Sequence, residues 1–131
     1  MGMSNEKFHI EFMMGNASQN SLWRMISHPD GLEEWFADVV SVDAESNLYI
    51  FAWEGESEAA QVVFSRPMSA IRFHWLDDED EDTYFEFALH RVELTGDTTL
   101  EITDFAEPDE KSDAIILWET QVEEMKKRLG I

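Results

Sequence analysis

The middle of the chain alternates apolar and polar residues with a period of two, which predicts β-strands. Tyr49, Phe51 and Trp53 fall on one face of such a run, and the same alternation occurs earlier, at Phe8–Phe12. Successive side chains of a strand point to opposite faces, so this period places an aromatic set on one buried face. Strands are expected over Phe8–Phe12, residues 48–53, Ala59–Phe64, Ile71–Trp75, Tyr84–Leu94 and a final run that contains Leu100 and Ile102 and ends near Asp104.

Two regions change to the period of 3.6 residues that is typical of helices. Ser18 is placed to cap a first helix over Gln19–Ile26, and a second short helix with Pro29 in its first turn carries Trp35 and Phe36. The region near the C-terminus predicts a long helix with one apolar stripe. The stripe consists of Ile115, Trp118, Val122, Met125 and Leu129.

The order of these elements predicts an α+β fold. Consecutive strands separated by turn signals favour an antiparallel sheet, and a long amphipathic helix must bury its stripe against that sheet. We therefore expect a curved antiparallel sheet of about six strands that wraps around the C-terminal helix, with two short helices after the first strand. Residues 1–131 are expected to form a single domain.

The charge of the chain excludes some classes of partner. The 9 basic and 29 acidic residues give a formal net charge of −20, which repels nucleic acids and anionic membrane surfaces. A basic protein partner stays open as an alternative to a simply solvated acidic surface.

The chain has no cysteine, and no apolar run approaches transmembrane length. No membrane insertion and a cytoplasmic location are expected.

Three segments resemble the START-like (SRPBCC) superfamily, which has the helix-grip fold. They are the helix–break–helix at Leu22–Phe36, the proline-led strand in Arg66–Trp75 and the closing helix from Trp118 to Leu129. Within the superfamily, the chain is most similar to the branch related to activators of the heat-shock chaperone ATPase. Those activators also use a separate N-terminal domain. This sequence starts directly at its first strand, so the activity is not expected to carry over.

The resemblance implies an apolar cavity between the sheet and the last helix, where members of the superfamily bind lipids, hormones, polyketides or other apolar molecules. It places Trp35 and Phe36 at the entrance of this cavity. The matching positions on the inner sheet face and the helix are Phe51, Trp53, Phe73, Trp75, Phe87, Trp118 and Val122. The same aromatic set is also compatible with a closely packed core, which is the usual fate of such residues. The sequence leaves these two interpretations open.

Glu54, Glu86 and Asp104 are candidates for chemistry because they fall on strands, and Asp104 is preferred because it follows Leu100 and Ile102 on the expected inward face. Desolvation of a carboxylate there would raise its pKa, whereas an aspartate at the end of a strand more commonly enters solvent. The polar end of a ligand is expected to meet Asp104, His74 or His90 at the rim. The sequence contains no Ser–His–Asp order, phosphate-binding loop or paired-carboxylate motif, so no catalytic residue and no cofactor is assigned.

Metal binding is not expected. His9, His74 and His90 occupy polar positions of different strands, and no pair has the ligand spacing of a helical site. His28, beside Pro29, is interpreted as a residue at the start of a helix. The acidic run Asp77–Asp82 lacks the central glycine of an EF-hand loop and is interpreted as a solvated hairpin tip.

The leading hypothesis is a non-enzymatic domain that binds a small hydrophobic or amphipathic ligand. An acidic, co-chaperone-like interaction module is the first alternative, because of the net charge. A hydrolase or cyclase that acts on an apolar substrate is the second. The oligomeric state does not follow from the sequence.

Overall fold

A computed structural model describes residues 5–131, which form seven strands and three helices. The strands are β1 Glu6–Met13, β2 Val39–Asp43, β3 Leu48–Trp53, β4 Glu56–Arg66, β5 Ala70–Trp75, β6 Phe85–Arg91 and β7 Thr98–Ala106. The helices are α1 Gln19–Ser27, α2 Pro29–Leu32 and α3 Lys111–Leu129. All seven strands join one antiparallel sheet in the order β1-β7-β6-β5-β4-β3-β2.

This architecture confirms the predicted α+β fold, with two short helices after the first strand and a long helix at the end. The sheet has one strand more than the six expected. The additional strand is β2, an edge strand that pairs only with β3 and buries only Val40 among its residues. Strand β6 is shorter than predicted, because the chain turns at residues 92–97 after Arg91.

The core lies between one face of the sheet and the three helices. The register pairs Phe73 with Phe85, Phe87 with Ile102 and Leu89 with Leu100, so the apolar positions of neighbouring strands share one face. Helix α3 buries Trp118, Val122 and Met125 against this face, as its apolar stripe predicts. The opposite face carries the polar positions of the same strands.

The segment Leu22–Phe36 is tightly connected to the rest of the core. Ser18 caps α1 as predicted, because its side chain accepts a hydrogen bond from the Ser21 amide at 3.1 Å. Helix α2 is a single turn that ends at Leu32, so Trp35 and Phe36 are not helical as the sequence predicted. The amides of Phe36 and Ala37 both donate to the Leu32 carbonyl, at 2.9 and 3.2 Å. The bond from Phe36 spans four residues, as in an α-helix, and the bond from Ala37 spans five, so the helix ends in a wider turn. The rings of Trp35 and Phe36 leave this turn toward the sheet.

Among residues 5–131, no helix has the length and apolar character that a membrane crossing requires.

Candidate functional site

An open cleft of about 420 Å³ lies between one end of the sheet, the turn that carries Phe36 and the first half of α3. Its wall is mainly aromatic, with one carboxylate and one amide. The lining residues are Phe36, Trp53, Trp75, Phe85, Asp104, Ala114, Leu117, Trp118 and Gln121. Its volume falls in the range of about 300–1,000 Å³ that small-molecule sites usually have.

The aromatic wall forms because three strands bring large rings to the same end of the inner face. Strand β3 ends at Trp53, β5 ends at Trp75 and β6 begins at Phe85. The rings of Trp75 and Phe85 stack with centroids 4.8 Å apart, and those of Trp53 and Trp75 are 6.3 Å apart. Trp53 and Trp75 are half-buried, so each keeps part of its ring accessible in the cleft.

Hydrogen bonds hold the turn that carries Phe36 against the cleft. The Trp53 indole N–H donates to the Phe36 carbonyl at 2.9 Å, and the Gln121 amide donates to the same oxygen at 3.4 Å. The Phe36 ring lies parallel to that of Trp118, with centroids 5.7 Å apart and an interplanar angle of 7°. The turn, the sheet and α3 therefore meet at this one residue.

Asp104 is the only ionisable group among the residues that line the cleft in the described chain. Its Oδ2 accepts a hydrogen bond from the Trp118 indole N–H at 2.9 Å, and its Oδ1 accepts from the Phe105 amide at 2.8 Å. Burial raises the pKa of Asp104 to about 6, although both hydrogen bonds act to lower it. This is the direction that desolvation predicts for an aspartate on the inward face of the sheet, and not for one that enters solvent.

The raised pKa of Asp104 predicts a pH-dependent contribution to stability. Above pH 6 the carboxylate is ionised in the folded and the unfolded chain, and folding then removes a charge from water. Below the ordinary value of 3.8 it is protonated in both states and this penalty disappears. The free energy of unfolding of Asp104→Asn, relative to that of the parent chain, should therefore be about 2 kcal/mol higher at pH 7.5 than at pH 4. Urea unfolding of both proteins at the two pH values measures this difference.

The side-chain amide of Asp104→Asn has a single acceptor oxygen, so the variant loses one hydrogen bond. The amide does not titrate, so this loss is the same at both pH values and cancels when they are compared. Asp109→Asn is the control, because it removes the same charge at an exposed position and reports the effect of net charge alone. A difference between Asp104→Asn and the parent that stays constant with pH would contradict the prediction.

The structure separates the ten predicted ligand-binding residues into two groups. Five line the cleft: Phe36, Trp53, Trp75, Asp104 and Trp118. The other five lie in the packed core: Trp35, Phe51, Phe73, Phe87 and Val122. The inner face of the sheet is thus packed along most of its length and open at one end.

Four residues of the cleft were not predicted, although the sequence contains a signal for three of them. Phe85 precedes Phe87 by one strand period, toward the end of the sheet where Trp53 and Trp75 lie. Ala114 and Gln121 lie four residues before and three residues after Trp118, so they share its side of α3. Leu117 precedes Trp118 and is mostly exposed at the rim of the cleft.

Two of the residues expected at the rim lie elsewhere. His74 alternates with the inward-facing Phe73, and its Nδ1 is 2.8 Å from the Thr83 carbonyl. His90 alternates with the buried Leu89 and lies 3.8 Å from Glu101. Both histidines are therefore on the outer face of the sheet, because side chains alternate along a strand.

The acidic run between β5 and β6 forms hydrogen bonds within its own turns. Asp78 accepts from the Asp80 amide at 2.9 Å, and Asp80 accepts from the Asp82 amide at 3.0 Å. Across residues 5–131, no group of three or more histidine, aspartate or glutamate side chains is arranged to hold a metal ion.

The family model described as a START-like superfamily domain matches residues 3–131. The solution structure of protein BfR322 from Bacteroides fragilis shares 47% sequence identity over 96% of this chain and 92% of that chain, with a TM-score of 0.69. The comparison with curated proteins found no match.

Two further neighbours have names that relate to the predicted branch. The Aha1 dimer from Colwellia psychrerythraea shares 21% identity, with a TM-score of 0.74 over 98% of both chains. The AHSA1-like protein from Aeromonas hydrophila shares 15% identity, with a TM-score of 0.71 over 93% of this chain and 90% of that chain. At these levels of sequence identity, the similarity shows a shared fold.

Proposed function

This chain belongs to the START-like superfamily, and we propose that it binds a small hydrophobic or amphipathic molecule in the cleft between the sheet and α3. The observation that carries the proposal is a cleft of about 420 Å³ with a largely aromatic wall and a few polar groups. Small-molecule sites typically combine apolar walls with a small number of polar groups that orient the ligand. Residues 1–131 would act as one binding domain.

The physical driving force for such binding is the burial of exposed aromatic surface. Trp53, Trp75 and Leu117 are incompletely buried at the cleft although they are large and apolar. A ligand that covers them removes apolar area from water, which stabilises the complex by about 25 cal/mol for each Å². An apolar body of the ligand would lie against these rings, and its polar end would face Asp104 and Gln121.

Binding is favoured over turnover because the cleft offers little chemical machinery. Asp104 is the only group of the described lining residues able to exchange a proton near neutral pH. A general acid–base mechanism usually needs a positioned partner for such a group, a nucleophile or a second acid or base. The proposed role is therefore that of a binding protein.

Binding is tested with N-phenyl-1-naphthylamine, a neutral fluorophore whose emission rises in apolar surroundings. We expect the parent chain to enhance its emission with saturation. Ala114→Phe should weaken this binding by about tenfold or more, because the new ring occupies the cleft. Ala114 is half-buried at the wall, so the larger side chain has room to point into the open space.

The matched control is Ile116→Phe, which adds a ring on the same helix at a position that is 59% exposed and outside the cleft. This control should bind the fluorophore as the parent chain does. Equal loss in both variants, or no saturable binding by the parent chain, would refute the proposal.

A further inference from the structure

We infer that the ligand is a small organic cation: an ammonium group on an apolar body, with the ammonium close to Asp104. This inference rests on the proposed function and adds the charge of the ligand to it. Three properties of the cleft support a cation over a neutral or anionic molecule.

The first property is the charge of the wall. Asp104 supplies the only charge among the described lining residues, and neither lysine nor arginine contributes to the lining. A carboxylate or phosphate group in the cleft would meet Asp104 without a compensating positive charge, in a chain whose formal net charge is −20. Like charges at short distance in a partly dry site repel strongly, so anionic ligands are disfavoured.

The second property is the kind of interaction that Asp104 lacks. Both of its oxygens already accept hydrogen bonds, from Phe105 and Trp118. Within residues 5–131, however, no basic side chain forms an ion pair with it. Burial raises its pKa to about 6, so ionisation of this group in the folded chain is unfavourable. A ligand cation would supply the missing opposite charge.

The third property is the aromatic wall. The faces of tryptophan and phenylalanine rings carry negative charge density, and cations bind favourably when they lie within about 6 Å of a ring centroid. Trp53, Trp75 and Phe85 form a set of neighbouring rings in the cleft, and Trp118 joins this wall to Asp104. A cleft that is lined by aromatic rings and one carboxylate is well suited to an alkylated ammonium ion, which is both apolar and positively charged.

The surroundings of the cleft strengthen this preference. A second groove shares Phe36, Trp53 and Gln121 with the cleft. Its other lining residues include the acidic Glu33, Glu34, Asp38 and Glu124 and the basic Arg128. Arg128 pairs with Glu124 at 3.4 Å and Glu34 pairs with Arg24, so the excess charge at this groove is the negative charge of Glu33 and Asp38. An approaching cation therefore meets an attractive potential before it enters the cleft.

The inference is tested with two probes that have the same shape and differ in charge. Benzyltrimethylammonium carries a permanent positive charge, and neopentylbenzene replaces its nitrogen with carbon. Binding is followed by NMR through the indole N–H signals of Trp53, Trp75 and Trp118, with Trp23 on α1 as a signal outside the cleft. Both probes should shift the signals of the cleft and leave that of Trp23 unchanged.

The deciding variant is Asp104→Asn. We expect it to weaken binding of the cationic probe by about tenfold or more and to change binding of the neutral probe by less than about twofold. Trp118→Phe keeps the carboxylate and should keep the preference for the cation. Asp109→Asn removes an exposed charge and should bind both probes as the parent chain does. This result is expected because the preference for the cation depends on Asp104 and not on the net charge of the chain.

The outcomes separate this inference from the proposed function. If neither probe shifts the signals of the cleft, the binding function itself fails. If both probes bind and Asp104→Asn weakens them equally, the cleft binds apolar molecules and the preference for a cation is refuted. If Asp109→Asn weakens the cation as much as Asp104→Asn does, the attraction is a property of net charge and the inference is also refuted.

Discussion

Phe36→Ala is expected to lower the free energy of unfolding by about 4 kcal/mol, because the substitution removes a buried ring from the centre of the aromatic core. Phe36 is only 5% exposed. Its ring meets that of Phe51 edge to face at 5.0 Å and lies parallel to that of Trp118 at 5.7 Å. Aromatic pairs of this kind add about 0.5–1.5 kcal/mol each beyond the burial of area.

The matched control for this prediction is Phe64→Ala. Phe64 is 46% exposed and lies on the outer face of the sheet, where its register partner is Arg72. Its loss should cost about 1 kcal/mol or less, as is usual for exposed positions. Urea unfolding of both variants measures the two free energies. Similar values for Phe36→Ala and Phe64→Ala would show that Phe36 is not central to the core.

The same substitution should also affect the cleft. Phe36 lines it, and the Phe36 carbonyl accepts hydrogen bonds from Trp53 and Gln121. Phe36→Ala keeps this carbonyl but removes the ring that lies parallel to that of Trp118, so one wall of the cleft is lost while the backbone contacts remain. Stability and cleft geometry are therefore linked at this residue, and a less drastic variant such as Phe36→Leu is the better choice for binding experiments.

The periodicity of apolar residues predicted most helices and strands of the fold, and the elements that it did not predict have physical reasons. The alternation of Tyr49, Phe51 and Trp53 and the stripe of α3 are strong signals because one side of each element is buried. Strand β2 was missed because it lies at the sheet edge with Val40 as its only buried residue, so no alternation marks it. Its pairing with β3 depends on backbone hydrogen bonds that any sequence can form.

The candidate site was predictable only in part, because periodicity identifies a face and not a position along it. Phe73 and Trp75 share a face of β5, but Phe73 is fully buried and Trp75 is half-buried in the cleft. The difference arises where α3 covers the sheet. Val122 and Met125 close the core, whereas Ala114, one turn before Trp118, is too small to fill the space above the sheet end. The placement of the helix is a tertiary property that no local pattern contains.

Gly31→Ala is expected to destabilise the chain by at least about 3 kcal/mol, because a methyl group has no space between α1 and α2. A Cβ atom at this position would lie 2.1 Å from the carbonyl oxygen of Arg24 and 2.8 Å from the Cα of Met25. These are backbone atoms of α1, so they cannot move aside without a shift of the helix. The Trp35 indole N–H, which donates to the Met25 carbonyl at 2.7 Å, should report this shift in NMR spectra.

Gly15→Ala is the matched control for Gly31→Ala, because a Cβ at Gly15 has no atom within 4 Å and meets only the strain of a φ of +58°. That strain costs about 1–2 kcal/mol. Gly31 sets the distance between α1 and α2, and the chain reaches Trp35 and Phe36 directly from α2. Gly31→Ala should therefore also weaken binding of N-phenyl-1-naphthylamine, whereas Gly15→Ala should not. Equal stability of the two variants would show that α1 moves freely and that Gly31 does not position the cleft.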